Sequence, residues 1–215
     1  GNNGFYLDFE DSSNLGNDAN GGTDLTEVNI AATDQTTDTC TNNFATMNPL
    51  DNYFYGATFS EGNLKLVQPS STECYTTSTM AVSSGKWYWE VKITASGSNK
   101  DFVGIADTVS NASDFTPYSG NSQVISYYGN NGHAKAGSTS TDDSYGDTFT
   151  AGDIIGVALD LENDKIYFSK NGTFQNSGDP TSGATGTGAI ATGSPSTGFW
   201  HFALGDVDNN TTYTY

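Results

Sequence analysis

Residues 152–179, GDIIGVALDLENDKIYFSKNGTFQNSGD, constrain the fold more than any other stretch. An apolar run ending at Leu161 meets a polar break, Glu162-Asn163-Asp164, and a second strand-like run covers 165–169. Asn171-Gly172 then supplies a tight turn, because Asn and Gly tolerate the positive φ that a two-residue hairpin loop needs. In the first run Ile155, Val157, Leu159 and Leu161 share one face. Ile154, Gly156 and Ala158 make the other face apolar too, which predicts a strand covered on both sides, as in a two-sheet sandwich. In the second run Ile166 and Phe168 alternate with Lys165, Tyr167 and Ser169, so one face is buried and the other wetter. The pattern predicts an antiparallel meander.

The rest of the chain agrees with an all-β fold. No long stretch shows the i, i+3, i+4, i+7 apolar spacing of a helix, while Gly numbers 25 and Ser, Thr and Asn recur throughout. Aromatic residues at 13% suit strands and sandwich cores. A hydrophobic share of only 34% requires long polar loops around that core. A chain of 215 residues is an ordinary size for one β domain. The expectation is a single antiparallel β-sandwich over 1–215, with 1–60 as an N-terminal strand and surface arm and 80–205 as the core.

Charge excludes some functions. The net charge is −18, from 25 acids against seven lysines and no arginine. Nucleic-acid affinity rests on Lys and Arg neutralising phosphates, so no nucleic-acid partner is expected, and an anionic membrane surface would repel the chain. Such acidity fits solubility in a salty medium; the sharper alternative is that several carboxylates gather divalent cations. No window approaches the ~18 apolar residues of a membrane span, so no membrane insertion is expected. No charged-then-apolar leader opens the chain. Both ends read as cut edges of a longer polypeptide. Cys40 and Cys74 lack a CxxC and a nearby histidine; separate thiols are expected, with a disulfide as the alternative.

Four blocks occur in order: GKWYWEV at 85–91, VGIA at 103–106, the aliphatic run ending at Asp160, and FSKNG at 168–172. Over roughly 80–205 they resemble the successive core strands of a SPRY (B30.2-like) domain, a concanavalin-like jelly roll. The lead-in, with GFYLDF at 4–9, NNFATMNPL at 42–50 and SEGNLK at 60–65, is similar to that of SPRY-containing virion and tail proteins of bacteriophages, marine ones especially. The resemblance implies a binding module with no catalytic residue and no required cofactor. It implies a place on a virion tail or capsid surface, outside the cell. Its implied partners are other virion subunits and a host-surface glycan or protein, and its implied state is a homo-oligomer, such as a trimer. SPRY domains usually close with another strand after the point where this chain ends, so the resemblance leaves the last edge unassigned.

Taken in order, residues 4–10 alternate, with Phe5, Leu7 and Phe9 opposite Tyr6, Asp8 and Glu10, and predict a half-buried strand. Residues 11–24, DSSNLGNDANGGTD, read as a loop. Asp11, Asn14, Asp18, Asn20 and Asp24 are the hard oxygen donors that calcium takes, with Gly21-Gly22 for a sharp turn. The spacing is not that of an EF-hand, and an Asx-rich turn explains the same residues. Residues 33–43 are too polar for core and predict an extended surface arm. Trp87, Trp89, Val91 and Ile93 fall on one face of 86–94; two tryptophans so placed are a sugar-stacking platform or core, and core is expected.

Loops carry the binding candidates. Residues 111–121 hold Phe115 and Tyr118, and the turn after 124–128 joins Tyr128, Asn130, Asn131 and His133 in a set suited to a sugar, with a well-satisfied turn as the alternative. Residues 178–198 form a Gly-, Thr- and Ser-rich segment too long for a hairpin, functional or inserted. Catalysis has one candidate, Asp160-Leu161-Glu162-Asn163-Asp164, because alternating acids can face a sugar cleft. Here the acids straddle a turn, and no activated nucleophile or phosphate loop is present. A glucanase-like enzyme is therefore the alternative, and a non-enzymatic adhesion or structural module the expectation.

Overall fold

The meander forms as its residues predict. Ile154–Asp160 and Lys165–Lys170 pair antiparallel, with Ile155 opposite Lys170 and Asp160 opposite Lys165. Asn171 and Gly172 take φ of 49° and 80°, the positive values of a tight hairpin loop. The computed structural model describes residues 4–35, 44–54, 56–68, 74–96, 101–107, 124–136, 143–206 and 212–214. The chain divides into two units, 1–44 with 60–62, and 45–59 with 63–215.

The larger unit is the sandwich. In chain order the strands are β1 (Met47–Phe54), β2 (Thr58–Ser60), β3 (Lys65–Val67), β4 (Cys74–Val82), β5 (Lys86–Ala95), β6 (Asp101–Ala106), β7 (Val124–Tyr128) and β8 (His133–Ala136). They continue with β9 (Asp143–Ser144), β10 (Ile154–Asp160), β11 (Lys165–Lys170), β12 (Thr173–Phe174), β13 (Ile190–Ala191), β14 (Trp200–Asp206) and β15 (Thr212–Thr214). One sheet runs β1-β4-β14-β6-β7-β8-β9; the other runs β12-β11-β10-β5-β15-β3-β2, with β13 added to β11. All pairs with a recorded register are antiparallel. The last strand, β15, is an internal strand of the second sheet, lying between β5 and β3.

Alternation decides what lies between the sheets. Trp89, Val91 and Ile93 of β5, Ile155, Val157 and Leu159 of β10, and Ile166 and Phe168 of β11 are buried in one cluster with Val103, Ile105, Phe202 and Leu204 of the facing sheet. Trp89 lies 4.8 Å from the Phe202 ring, and Phe168 stacks 5.5 Å from Tyr127. Gly104 admits the neighbouring strand: a Cβ there would lie 1.9 Å from the Ile125 carbonyl oxygen. On the outer face of β10, Gly156 is buried beneath the Tyr88 hydroxyl, Ala158 is half-buried and Ile154 is exposed. Cover on both sides is therefore complete only on the core side.

Three expectations about elements change. Residues 4–10 form no strand: the Tyr6 amide donates to Asp18 Oδ1 (2.9 Å), the Tyr6 carbonyl accepts from Ala19, and Phe9 has φ 56°. Those backbone groups go to a nearby loop instead of a ladder, and Phe5, Tyr6 and Phe9 are exposed. Trp87 is 46% exposed although it shares a face with Trp89. It stands at the rim of β5, and its indole N–H bends back to the Ser84 carbonyl (2.7 Å). The segment 178–198 is built, with a short 3-10 turn at Gly183–Thr185, an Asp179 amide bonded to Thr187, and a return strand β13 paired to Lys165 and Ile166.

Candidate functional site

The turn joining β7 and β8 presents the clearest polar loop among the described residues. Its backbone is fixed from both sides. Gly129 donates to the Asp101 carbonyl (2.8 Å), and the Gly132 carbonyl accepts from Tyr145 and Gly146. Gly132 has φ 69°, and a Cβ there would meet the Gly146 oxygen at 2.1 Å, so only glycine fits this crossing. Asn131 Oδ1 accepts the His133 amide (3.0 Å), closing an Asx turn. Asn130 and Asn131 are exposed and His133 is half-buried. His133 Nδ1 is shut from solvent with no hydrogen-bond partner among the described residues.

The fold thus brings Asn130, Asn131 and His133 together and withdraws Tyr128. That tyrosine is fully buried, its ring 6.2 Å from Phe102 in a cluster with Tyr75, Ala106 and Val124. It alternates with core-facing Tyr127 onto the other face of its sheet, where Tyr75 and Phe102 cover it, so it supports the turn and offers no contact surface. Phe115 and Tyr118 lie outside the described residues.

The loop at 11–24 uses its oxygens internally. Asp11 Oδ1 accepts the Ser13 amide (2.9 Å) and hydroxyl (2.6 Å), and Asn14 Nδ2 donates to Asp24 Oδ2 (2.9 Å). Asp18, only 5% exposed, accepts the amides of Tyr6 and Asn20, while its own amide donates to Asp24 Oδ1. The Ser13 hydroxyl holds the Asp11 carboxyl below the usual range, as the Asn14 amide does for Asp24. Among the described residues no three Asp, Glu, His or Cys side chains gather around one point. Asp11 and Asp18 each close an Asx turn on the amide two residues along, at Ser13 and Asn20, while Asn14 and Asp24 are tied to each other.

Of the acids at 160–164, Asp160 is equally committed. Asp160 Oδ1 accepts the amides of Glu162 and Asn163, and Oδ2 accepts Asn163 Nδ2 (2.8 Å) and the Lys86 ammonium (3.1 Å). Burial alone would raise this carboxyl, but hydrogen bonds from Asn163 and Lys86 outweigh it and hold it below the usual range. Glu162 and Asp164 are exposed. The group locks a turn and offers no facing pair of carboxylates. Beside it lies a shallow cleft of Lys86, Trp87, Ala158, Asp160, Tyr167 and Pro180, which strand alternation had left unnoticed because Pro180 comes from the distant loop. Cys74 is buried and unpaired, and burial pushes its thiol up to about 12. Cys40 lies outside the described residues.

Residues 86–191 match the family model for the SPRY domain. The chain carries a SPRY domain. Ran-binding protein 9 of Danio rerio is 33% identical over 88 residues, 41% of this chain and 14% of that protein. Human Ran-binding protein 9 is 33% identical over the same length, 12% of that protein, and the Drosophila melanogaster Ran-binding proteins 9/10 homolog is 32% identical over 90 residues. The chain therefore corresponds to a small part of these relatives. Among solved structures, the SPRY domain of human HERC1 superposes with a TM-score of 0.59 at 19% identity, covering 78% of this chain and 95% of that one. A second human SPRY domain gives 0.52 at 18% identity, covering 70% and 89%. SPRY domains are typically protein–protein interaction modules, and a rigid sandwich with a fixed polar turn has the form of one.

Proposed function

We propose that this chain is a non-catalytic adhesion or structural module of a phage virion, on the tail or capsid surface. It holds neighbouring subunits or a host-surface protein or glycan through loops of its SPRY sandwich. The observation that carries the binding reading is the turn at 129–133, where Asn130, Asn131 and His133 stand on a backbone bonded to β6 and to the segment before β10. Side-chain amides and an imidazole on a stiff support bind polar groups at low ordering cost. Single contacts of this kind are weak, and repetition over many copies multiplies them. The virion setting rests on the wording of the lead-in at 4–9, 42–50 and 60–65 and on an acidity that suits an extracellular particle. The name of the Ran-binding relatives points to a protein as one class of partner.

A glycan array and a panel of purified particle proteins, probed with an artificially multimerised chain, test this reading. Specific binding that falls about tenfold in Asn131→Ala or His133→Ala, with melting unchanged, is the expected result. Binding untouched by either change would remove the turn from the reading. A blank on both panels would leave a role confined to contacts between copies.

A further inference from the structure

The outer face of the second sheet is a grid whose rows are fixed by the pairing register. Across β5, β10 and β11 the rows run Lys86-Asp160-Lys165, Tyr88-Ala158-Tyr167 and Glu90-Gly156-Ser169. Residues directly opposite one another on paired strands share a face. The middle row therefore sets one alanine between two tyrosines, and the sheet treats those tyrosines differently.

Tyr167 is fully buried beneath the segment 178–198. Ser182 Oγ lies 3.3 Å from its hydroxyl, and a Cβ on Gly178 would meet its ring at 3.4 Å. Pro180 stands in a fixed turn of that segment: Asp179 Oδ1 accepts the Thr181 amide (2.9 Å), and the Asp179 carbonyl accepts the Ser182 amide (3.0 Å). Tyr88 is 53% exposed. A Cβ on Gly156 would lie 2.4 Å from its hydroxyl oxygen and 3.0 Å from its Cζ, so the ring leans across β10 and rests on the bare glycine. Its hydroxyl donates to Glu90 Oε1 (2.6 Å), which pins it there. One side of the ring is down on the sheet and the other is open. Beside it, over Ala158, lies a cleft of about 120 Å³ walled by Tyr167 and Pro180 and ended by the Lys86–Asp160 ion pair.

The geometry points to a sugar subsite: this face binds one pyranose ring of a neutral glycan, with Tyr88 as the stacking surface. An aromatic face is the negative side of the ring quadrupole and attracts the C–H groups that line one side of a pyranose. The cleft is of the right scale, since a cavity of ~150 Å³ takes one benzene ring. The rim is polar where an apolar side chain would want it apolar. The Lys86 ammonium has three donors and gives one to Asp160, and Glu90 keeps a second carboxylate oxygen for a hydroxyl. Charge selects a neutral ligand: Lys86, Lys92 and Lys165 are balanced by Glu90, Asp160 and Glu162. The pinned ring and the fixed Pro180 wall bind without first being ordered, which keeps the cost of association low.

The inference rests on the glycan part of the reading above but uses a different surface, so its failure would leave the turn at 129–133 standing. Its test is an amide-resolved NMR titration of the full chain with glucose, galactose, mannose and N-acetylglucosamine at millimolar concentration. At least one sugar is expected to move the amides of 86–90 and 156–160. Tyr88→Ala is expected to weaken that binding about tenfold, while Tyr88→Phe, which keeps the ring, stays within about threefold. Gly156→Ala is expected to weaken it with the tyrosine still present, because the new Cβ lifts the ring off the sheet. Asn131→Ala is expected to leave it unchanged. Circular dichroism checks that each variant folds. Silence at 86–90 and 156–160 toward all four sugars, or Tyr88→Ala binding like the wild type, would overturn the inference. Shifts confined to 129–133 would overturn it in favour of the turn, and a response of this face to a proline-rich peptide alone would overturn it in favour of a protein ligand.

Discussion

The stretch 4–35 and the sandwich answer the same kind of pattern in opposite ways. Both contain alternating apolar residues, FYLDF in one and WYWEVKI in the other. In β5 the alternation is flanked by β10 and β15, so its amides enter ladders and Trp89, Val91 and Ile93 are sealed between sheets. In 4–35 the backbone bonds instead to Asp18 and Ala19, and Leu15 is its only large buried apolar residue. Alternation specifies a strand only where neighbours on both sides complete the hydrogen bonding and cover one face.

The largest way to break this comparison is to empty a site on each side. Phe168→Ala, which removes a ring stacked on Tyr127 and set edge-on to Tyr145, is expected to cost about 3–5 kcal/mol in urea denaturation. Phe5→Ala, at an exposed position, is expected to stay within about 0.5 kcal/mol. Comparable losses would mean that the N-terminal unit has a core of its own.

A middle-sized effect separates the carboxylate that locks the β10–β11 turn from those in the N-terminal loop. Asp160 titrates below the unfolded carboxylate value near pH 4. Its stabilisation is therefore complete above that pH and is lost as pH falls through the lower folded-state value. Asp160→Asn is expected to cost about 1–2 kcal/mol at pH 7 and much less at pH 2, by denaturant titration at each pH. An equal loss at both would show that shape, not charge, holds the turn. The smallest effect belongs to 11–24: with its oxygens already accepting internal hydrogen bonds, EDTA is expected to leave the melting temperature unchanged. A drop reversed by calcium would restore the ion to that loop.

How much of this was legible follows the same division. The β10–β11 meander, the Asn171-Gly172 turn and the buried face of β5 could be read because local chemistry and tertiary cover agree there. Trp87 was misread because alternation cannot say where a facing sheet stops. Tyr128 was misread because the cover on its side comes from residues distant in sequence, among them Tyr75 and Phe102. β13 was hidden because a two-residue strand has no period. In the polar turn, Asn130, Asn131 and His133 could be found from composition, but the bonds that stiffen it come from Asp101, Tyr145 and Phe149, which no local window contains.

The margins of the two sheets carry a consequence for a crowded particle. One sheet ends at β9, two residues long, and at β1, which contains Pro49 and a register shift between Met47 and Asn52. The other ends at three-residue β2 on one side, and on the other at the two-residue strands β12 and β13, which both cover β11. Short, bulged or proline-bearing margins offer few consecutive amides and carbonyls to a passing strand. Many copies held at high local density can therefore touch through their faces without zipping into amyloid-like ribbons.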